Sequence, residues 1–122
     1  MTITPEEACG AVRRYYALVD SGDIDGLLAL FHENASYQRP GYAALTGHAE
    51  LRDFYRSQRI IAHGRHDIGR LVVAGHTVVV RASFAGVLKD GREVSVRFAD
   101  FFELSDEARF LERETFFFAP SV

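Results

Sequence analysis

The chain has 122 residues, 48% of them hydrophobic and 25% charged, with a formal net charge of −3. That suffices for one domain spanning 1–122 and one core, and it is too short for two. The fourteen Lys and Arg form no basic block, no apolar run reaches transmembrane length and no leader-like segment opens the chain, so neither nucleic acid nor membrane is an expected partner.

A cytoplasmic location is the corresponding expectation. Cys9 is the single cysteine, which excludes an intrachain disulfide and a cysteine metal site. Thr4-Pro5-Glu6-Glu7 opens a first helix, with Thr4 as N-cap, Pro5 at the first helical position and Glu7 completing a capping box. Ala8, Val12, Tyr15, Tyr16 and Val19 recur at helical spacing until Gly22. Asp23 caps a second, short helix through Ile24, Leu27, Leu28 and Phe31, which His32-Glu33-Asn34 breaks. Residues 35–38 read as a short strand, and Arg39-Pro40-Gly41 as a turn. A third helix is expected from His48 to about Gln58, with Leu51, Phe54 and Tyr55 on one face. Strands follow at 65–73, 77–88, 92–104 and 108–118, separated by turn residues that include the hairpin pair Asp90-Gly91. Helices first and an antiparallel meander after them predict an α+β domain. Three N-terminal helices would pack on one face of a curved sheet, forming a cone whose mouth could hold a ligand.

Asp100 stands out in the third of these long strands. Read at period two, one face carries Val94, Val96, Phe98, Asp100 and Phe102. A carboxyl in an apolar row is costly unless it has partners or stays neutral, and a neutral carboxylic acid can donate a hydrogen bond to a substrate oxygen. The alternatives are a solvent-facing edge strand and a structural acid bonded to backbone.

The segments Tyr15–Asp23, Leu30–Ala35, Gly47–Tyr55 and Ala99–Phe102 together resemble the nuclear transport factor 2-like superfamily, and more narrowly its SnoaL-like polyketide cyclases and ketosteroid isomerases. The resemblance covers nearly the whole chain. It implies an NTF2-like (cystatin-like) cone with an apolar internal pocket, a homodimer, and cofactor-independent chemistry. Ketosteroid isomerases stabilise an enolate with a tyrosine of the first helix and a protonated strand aspartic acid. By residue matching these fall on Tyr15 and Asp100, and a supporting tyrosine on Tyr55. The family's general base precedes a proline on the first strand. Here that position is Arg39, before Pro40, and arginine does not act as a base at ordinary pH. It is suited instead to a carboxylate, phosphate or enolate oxygen.

A replacement base is therefore needed, and His66 is the first candidate, since imidazole titrates near neutrality. Glu112, Glu114 and Asp67 come after it. Glu112, Arg113 and Glu114 alternate across the last strand, and one bulge would exchange their faces. His63 and His66 lack a third ligand for a metal. His32, His48 and His76 read as surface residues. Tyr42, Phe31, Phe54, Phe98 and Phe117 are the candidate substrate-binding residues, and Phe116-Phe117-Phe118 puts aromatic rings on both faces of the last strand. No nucleophile elbow, phosphate loop or zinc spacing occurs. The expected function is an isomerase or cyclase that moves protons on a small apolar, aromatic or polyketide-type ligand through an enolate-like intermediate, without a cofactor, with epoxide opening and lyase-type dehydration as the other chemistries left open. The alternative is a non-catalytic binding or scaffold protein on the same fold.

Overall fold

A computed structural model describes residues 2–119. Helix α1 (Pro5–Ser21) begins at the expected capping box: the Thr4 hydroxyl accepts from Glu7 N at 3.1 Å and Glu7 Oε1 accepts from Thr4 N at 3.1 Å. It ends at Gly22, whose φ of 75° is the left-handed conformation that releases the chain. Asp23 caps α2 (Ile24–Leu28) by accepting from Gly26 N. This helix is shorter than expected. Phe31 opens strand β1 (Phe31–Gln38), which therefore includes His32-Glu33-Asn34. The register of β1 is irregular between Phe31 and Ser36, so the polar triplet sits on the distorted part of a strand instead of breaking a helix.

A two-residue strand, β2 (Leu45–Thr46), pairs with β1 before α3 (Gly47–Asp53). The third helix does not run on as α-helix. It widens into one π-helical turn, Phe54–Gln58, closed by Arg59 N donating to Phe54 O at 2.8 Å. Strands β3 (Ile61–Ala74), β4 (Thr77–Leu88), β5 (Glu93–Leu104) and β6 (Phe110–Phe117) complete one curved, open six-stranded sheet of order β2-β1-β6-β5-β4-β3. β3 starts four residues earlier than the alternation indicated. All neighbouring pairs are antiparallel except β1 and β6, which run parallel and join the first strand of the chain to its last.

The inner face of β5 is the predicted row: Val96, Phe98, Asp100 and Phe102 are buried, with Val94 half-buried. Buried side chains of α1, α2 and α3 pack with this row and with β4 in a single core. Tyr15 is at its centre, edge-to-face with Phe31, Phe102 and Phe110. Among the described residues no helix is long and apolar enough to cross a membrane.

Candidate functional site

Asp100 is fully buried, and three donors reach it. Tyr16 donates its phenol to Oδ2, Thr115 its hydroxyl to Oδ1, and Arg113 donates Nη2 to Oδ2 at 2.7 Å. The carboxylate acts as an acceptor on both oxygens. The phenol that touches it comes from Tyr16 and not from Tyr15 or Tyr55, because successive helical residues point about 100° apart and the Tyr15 hydroxyl is directed to Tyr55 and Arg113 instead. Tyr15 instead hydrogen-bonds Tyr55 and accepts from Arg113 Nη1 at 2.5 Å. Asp100 is thus linked to the tyrosine pair through the Arg113 guanidinium.

Arg113 is the inward member of the Glu112-Arg113-Glu114 triplet, and both glutamates are exposed. The reason is a register shift in the β5–β6 pairing: Glu103 faces Glu112 while Leu104 faces Phe110. Leu111 is the extra residue, so Phe110 and Arg113, three apart, both point inward. The guanidinium also lies over the rings of Tyr37, at 4.4 Å, and Tyr15, at 4.7 Å. Burial opposes its charge, but Asp100 first, and then the three surrounding phenols, outweigh this and hold Arg113 well above its ordinary pKa. Burial also raises the pKa of Tyr15, Tyr16 and Tyr55, with Asp100 adding to the effect at Tyr16 and Arg113 partly offsetting it in all three. These phenols are therefore protonated, and able to donate, at neutral pH.

His66 lies on β3 with its ring against Tyr16, Phe84 and Phe98. Asp20, in the last turn of α1, bonds it twice: Oδ1 is 2.5 Å from Nδ1, and Oδ2 accepts the backbone N–H of His66 at 2.8 Å. This pairing puts the ring proton on Nδ1 and leaves the Nε2 lone pair available. Nε2 has no hydrogen bond among the described residues. Burial lowers the imidazole pKa, Asp20 works against that, and Arg113 and Arg59 reinforce it.

One narrow cavity joins these groups; its interior holds only about 30 Å³ of space for a water centre, against about 390 Å³ when the gaps between atoms and the open space at its mouth are counted. Tyr15, Tyr37, Tyr55, Thr115 and His66 supply hydroxyls and a ring nitrogen; Phe84, Phe98, Phe117 and three aliphatic side chains supply apolar wall. The remaining lining groups are three guanidiniums, Arg39, Arg59 and Arg113, and among the described residues no carboxylate lines it. Arg39 donates Nη1 to the Tyr37 hydroxyl at 3.3 Å and lies within 5.4 Å of the ring centres of Tyr42, Phe54 and Phe117. Tyr37 in turn bonds Thr115 at 3.1 Å, so a hydrogen-bonded chain runs from Arg39 to Asp100.

The structure thus brings Tyr15, Tyr55, His66, Arg39, Phe98 and Phe117 to one cavity, with Asp100 behind it. Phe31, Phe54 and Tyr42 do not line it. Phe31 and Phe54 are fully buried against other aromatic rings, and the Tyr42 hydroxyl donates to Gln58 O at 3.3 Å. His63 is exposed, and no cluster of three potential metal ligands occurs among the described residues. Outside the site, His48 Nε2 lies 2.9 Å from Phe31 O and His76 Nε2 2.6 Å from Asp106.

The sequence reading missed Tyr16 as the partner of Asp100, and Asp20, Arg59 and Thr115 altogether. Two of these had signals. Asp20 is an acid in the last turn of a helix, where the dipole disfavours it, one turn beyond Tyr16. Arg59 follows Tyr55 at the spacing of helical neighbours.

A SnoaL-like domain profile matches residues 12–112. The chain belongs to the SnoaL-like family. Its fold is shared with SalBIII, an epoxide hydrolase/cyclase-like enzyme of pyran ring formation in the polyether salinomycin (TM-score 0.82, 22% identity, 92% of this chain and 91% of that one). It is shared too with TerC co-crystallised with polyporic acid (TM-score 0.81, 20% identity, 91% of each chain). A third is a protein of ketosteroid isomerase-like fold from Catenulispora acidiphila in complex with trimethylamine (TM-score 0.78, 21% identity, 93% and 85%). At these identities the likeness establishes the fold alone.

Proposed function

We propose that this SnoaL-like chain is a cofactor-independent isomerase or cyclase that moves a proton on a small, flat carbonyl compound through an enolate-like intermediate. The observation that carries the reading is an imidazole oriented by Asp20 in the same cavity as the Tyr15–Tyr55 phenol pair. His66 Nε2 takes a proton from the carbon next to the carbonyl. The oxygen, becoming negative, accepts a hydrogen bond from Tyr55. Arg113 Nη1 donates to Tyr15 at 2.5 Å and to Tyr55 at 3.4 Å, and the two phenols share one hydrogen bond; in this reading Tyr15 donates in it, so that the Tyr55 hydrogen is left for the ligand and the guanidinium charge supports both phenols. The imidazolium then returns the proton to another carbon of the conjugated system, or the enolate carbon attacks a second carbonyl to close a ring and the imidazolium gives its proton to the alkoxide formed there. Asp100 acts by holding Arg113, and Arg39 supplies further positive potential. SalBIII and the protein complexed with trimethylamine illustrate, for the fold, a cyclase-like enzyme and small-ligand binding.

The rival reading is a non-catalytic binding protein, favoured by Arg39 standing where the family's base is expected. Exchange of the acidic α-protons of 2-tetralone in D₂O, followed by NMR, separates the two. The enzyme reading expects exchange faster than buffer alone, slowed about 10²-fold or more by His66→Asn. It also expects a fall in turnover, without a matching loss of binding, for Asp20→Asn. No acceleration for ketones of one, two or three rings, with ligand binding retained, would favour the rival.

A further inference from the structure

The three cavity arginines are not equivalent. Arg113 is matched by Asp100, and Arg39 donates to Tyr37 among aromatic rings. The Arg59 guanidinium makes no hydrogen bond or ion pair among the described residues, although the residue is only partly exposed and burial lowers its pKa. It stands where the inner cavity meets a broader groove of about 900 Å³, counting open space, since Val19, Tyr55, Arg59, Ile61 and Phe84 line both. That groove also carries Arg56 and Lys89. The one carboxylate among its described lining residues, Asp20, is taken up by His66. A chain with a net charge of −3 thus concentrates positive charge along one entrance. Like charges gathered in a partly desolvated site repel one another, and a bound anion relieves this.

We infer that the ligand of this cavity is an anion, an aromatic or conjugated compound bearing a carboxylate, whose negative group seats on the Arg59 guanidinium at the mouth while its ring system enters between Phe84, Phe98 and Phe117. The inference rests on the cavity being the ligand site of the proposed function, and it names the class of ligand. Arg59 caps the widened turn four residues after Tyr55, so one short segment presents both the hydroxyl for the carbonyl oxygen and the guanidinium for the carboxylate. A planar guanidinium can hold a carboxylate through two parallel hydrogen bonds. Arg56 and Lys89 steer the anion toward it.

The test is binding, which needs no turnover. Benzoate and 2-naphthoate are each titrated against their neutral amides by calorimetry at low salt, with the intact chain and with Arg59→Gln. The inference expects each acid to bind roughly tenfold or more tightly than its amide. It expects the preference to shrink as salt is raised, and Arg59→Gln to abolish it while leaving amide affinity and the melting temperature unchanged. Equal affinity for acid and amide, a preference untouched by Arg59→Gln, or no binding of any of the four would overturn it. Arg59→Lys serves as a second variant and should retain part of the preference; loss as complete as in Arg59→Gln, with the melting temperature lowered, would mark Arg59 as structural and also overturn the inference. Failure of catalysis is distinguishable: acid selectivity without exchange of 2-tetralone rejects the enzyme reading alone, and exchange without acid selectivity rejects the anion alone.

Discussion

At the scale of single residues, the Asp100–Arg113 pair is the feature on which the rest of the site depends. Both groups are desolvated, and each has hydrogen bonds from or to tyrosines that fix its orientation. Removing one partner leaves a buried charge uncompensated, which costs about 3 kcal/mol or more. Asp100→Asn and Arg113→Met should each lower the urea midpoint accordingly, and the double variant should lose much less than the sum. Additive losses would show that the two do not act as a pair. His66 gives a second prediction, on pH. Its folded pKa lies below the unfolded value because of burial, so the unfolded chain takes up this proton first. His66 therefore contributes fully to stability above about pH 6.5, and that contribution is lost as pH falls from there through the folded value. If His66 is the base, the acid limb of activity should have its midpoint below about 6.5 as well. His66→Gln should flatten both dependences, read by melting temperature and by turnover across pH. The oddity of Asp100 was legible from its apolar row. Its partners were not, because Tyr16, Arg113 and Thr115 are 84, 13 and 15 residues away in the chain.

At the scale of elements, local rules did most where bonds are local. The capping box of α1, its end at Gly22 and the Asp90-Gly91 hairpin turn are all set within a few residues, and they appear as read. The fate of Phe31 was not local. A Phe at helical spacing after Leu27 and Leu28 also suits a strand, and pairing with Phe110 of β6 decides for the strand. The cavity wall contains a testable device of this kind. Gly64 of β3 and Gly86 of β4 are cross-strand partners, and the Phe84 ring lies over both. A Cβ on Gly64 would meet the ring at 2.3 Å and Ala85 O at 2.7 Å. Gly64→Ala should therefore push Phe84 away, costing about 1–3 kcal/mol in stability. It should also perturb His66, whose ring centre is 4.7 Å from that of Phe84. A shift of the His66 NMR titration curve checks this; an unchanged curve with unchanged stability would mean that the strands open to make room.

At the scale of the whole molecule, the helices cover one face of the sheet, and the other face exposes Phe101 (44%) and Phe116 (48%) with their rings 5.7 Å apart. Exposed aromatic rings on an antiparallel face favour burial against another surface, and a second copy of the chain is the proposed one. Sedimentation should give a dimer at micromolar concentration, and Phe116→Glu should give a folded monomer; a monomeric parent chain would refute the proposal. The sequence by itself determined the class of the fold, the helix boundaries set by caps, the inward face of β5 and the presence of an acid in it, since all of these follow from period and from contacts within a few residues. Only the tertiary structure decided that β1 runs beside β6, that a bulge at Leu111 turns Arg113 inward, that Asp20 orients His66 across 46 residues, and that Arg39, Arg59 and Arg113 line one cavity. Each of these depends on which distant strand or helix comes to lie alongside. That is set by burying the whole core at once, and no local pattern of residues encodes it.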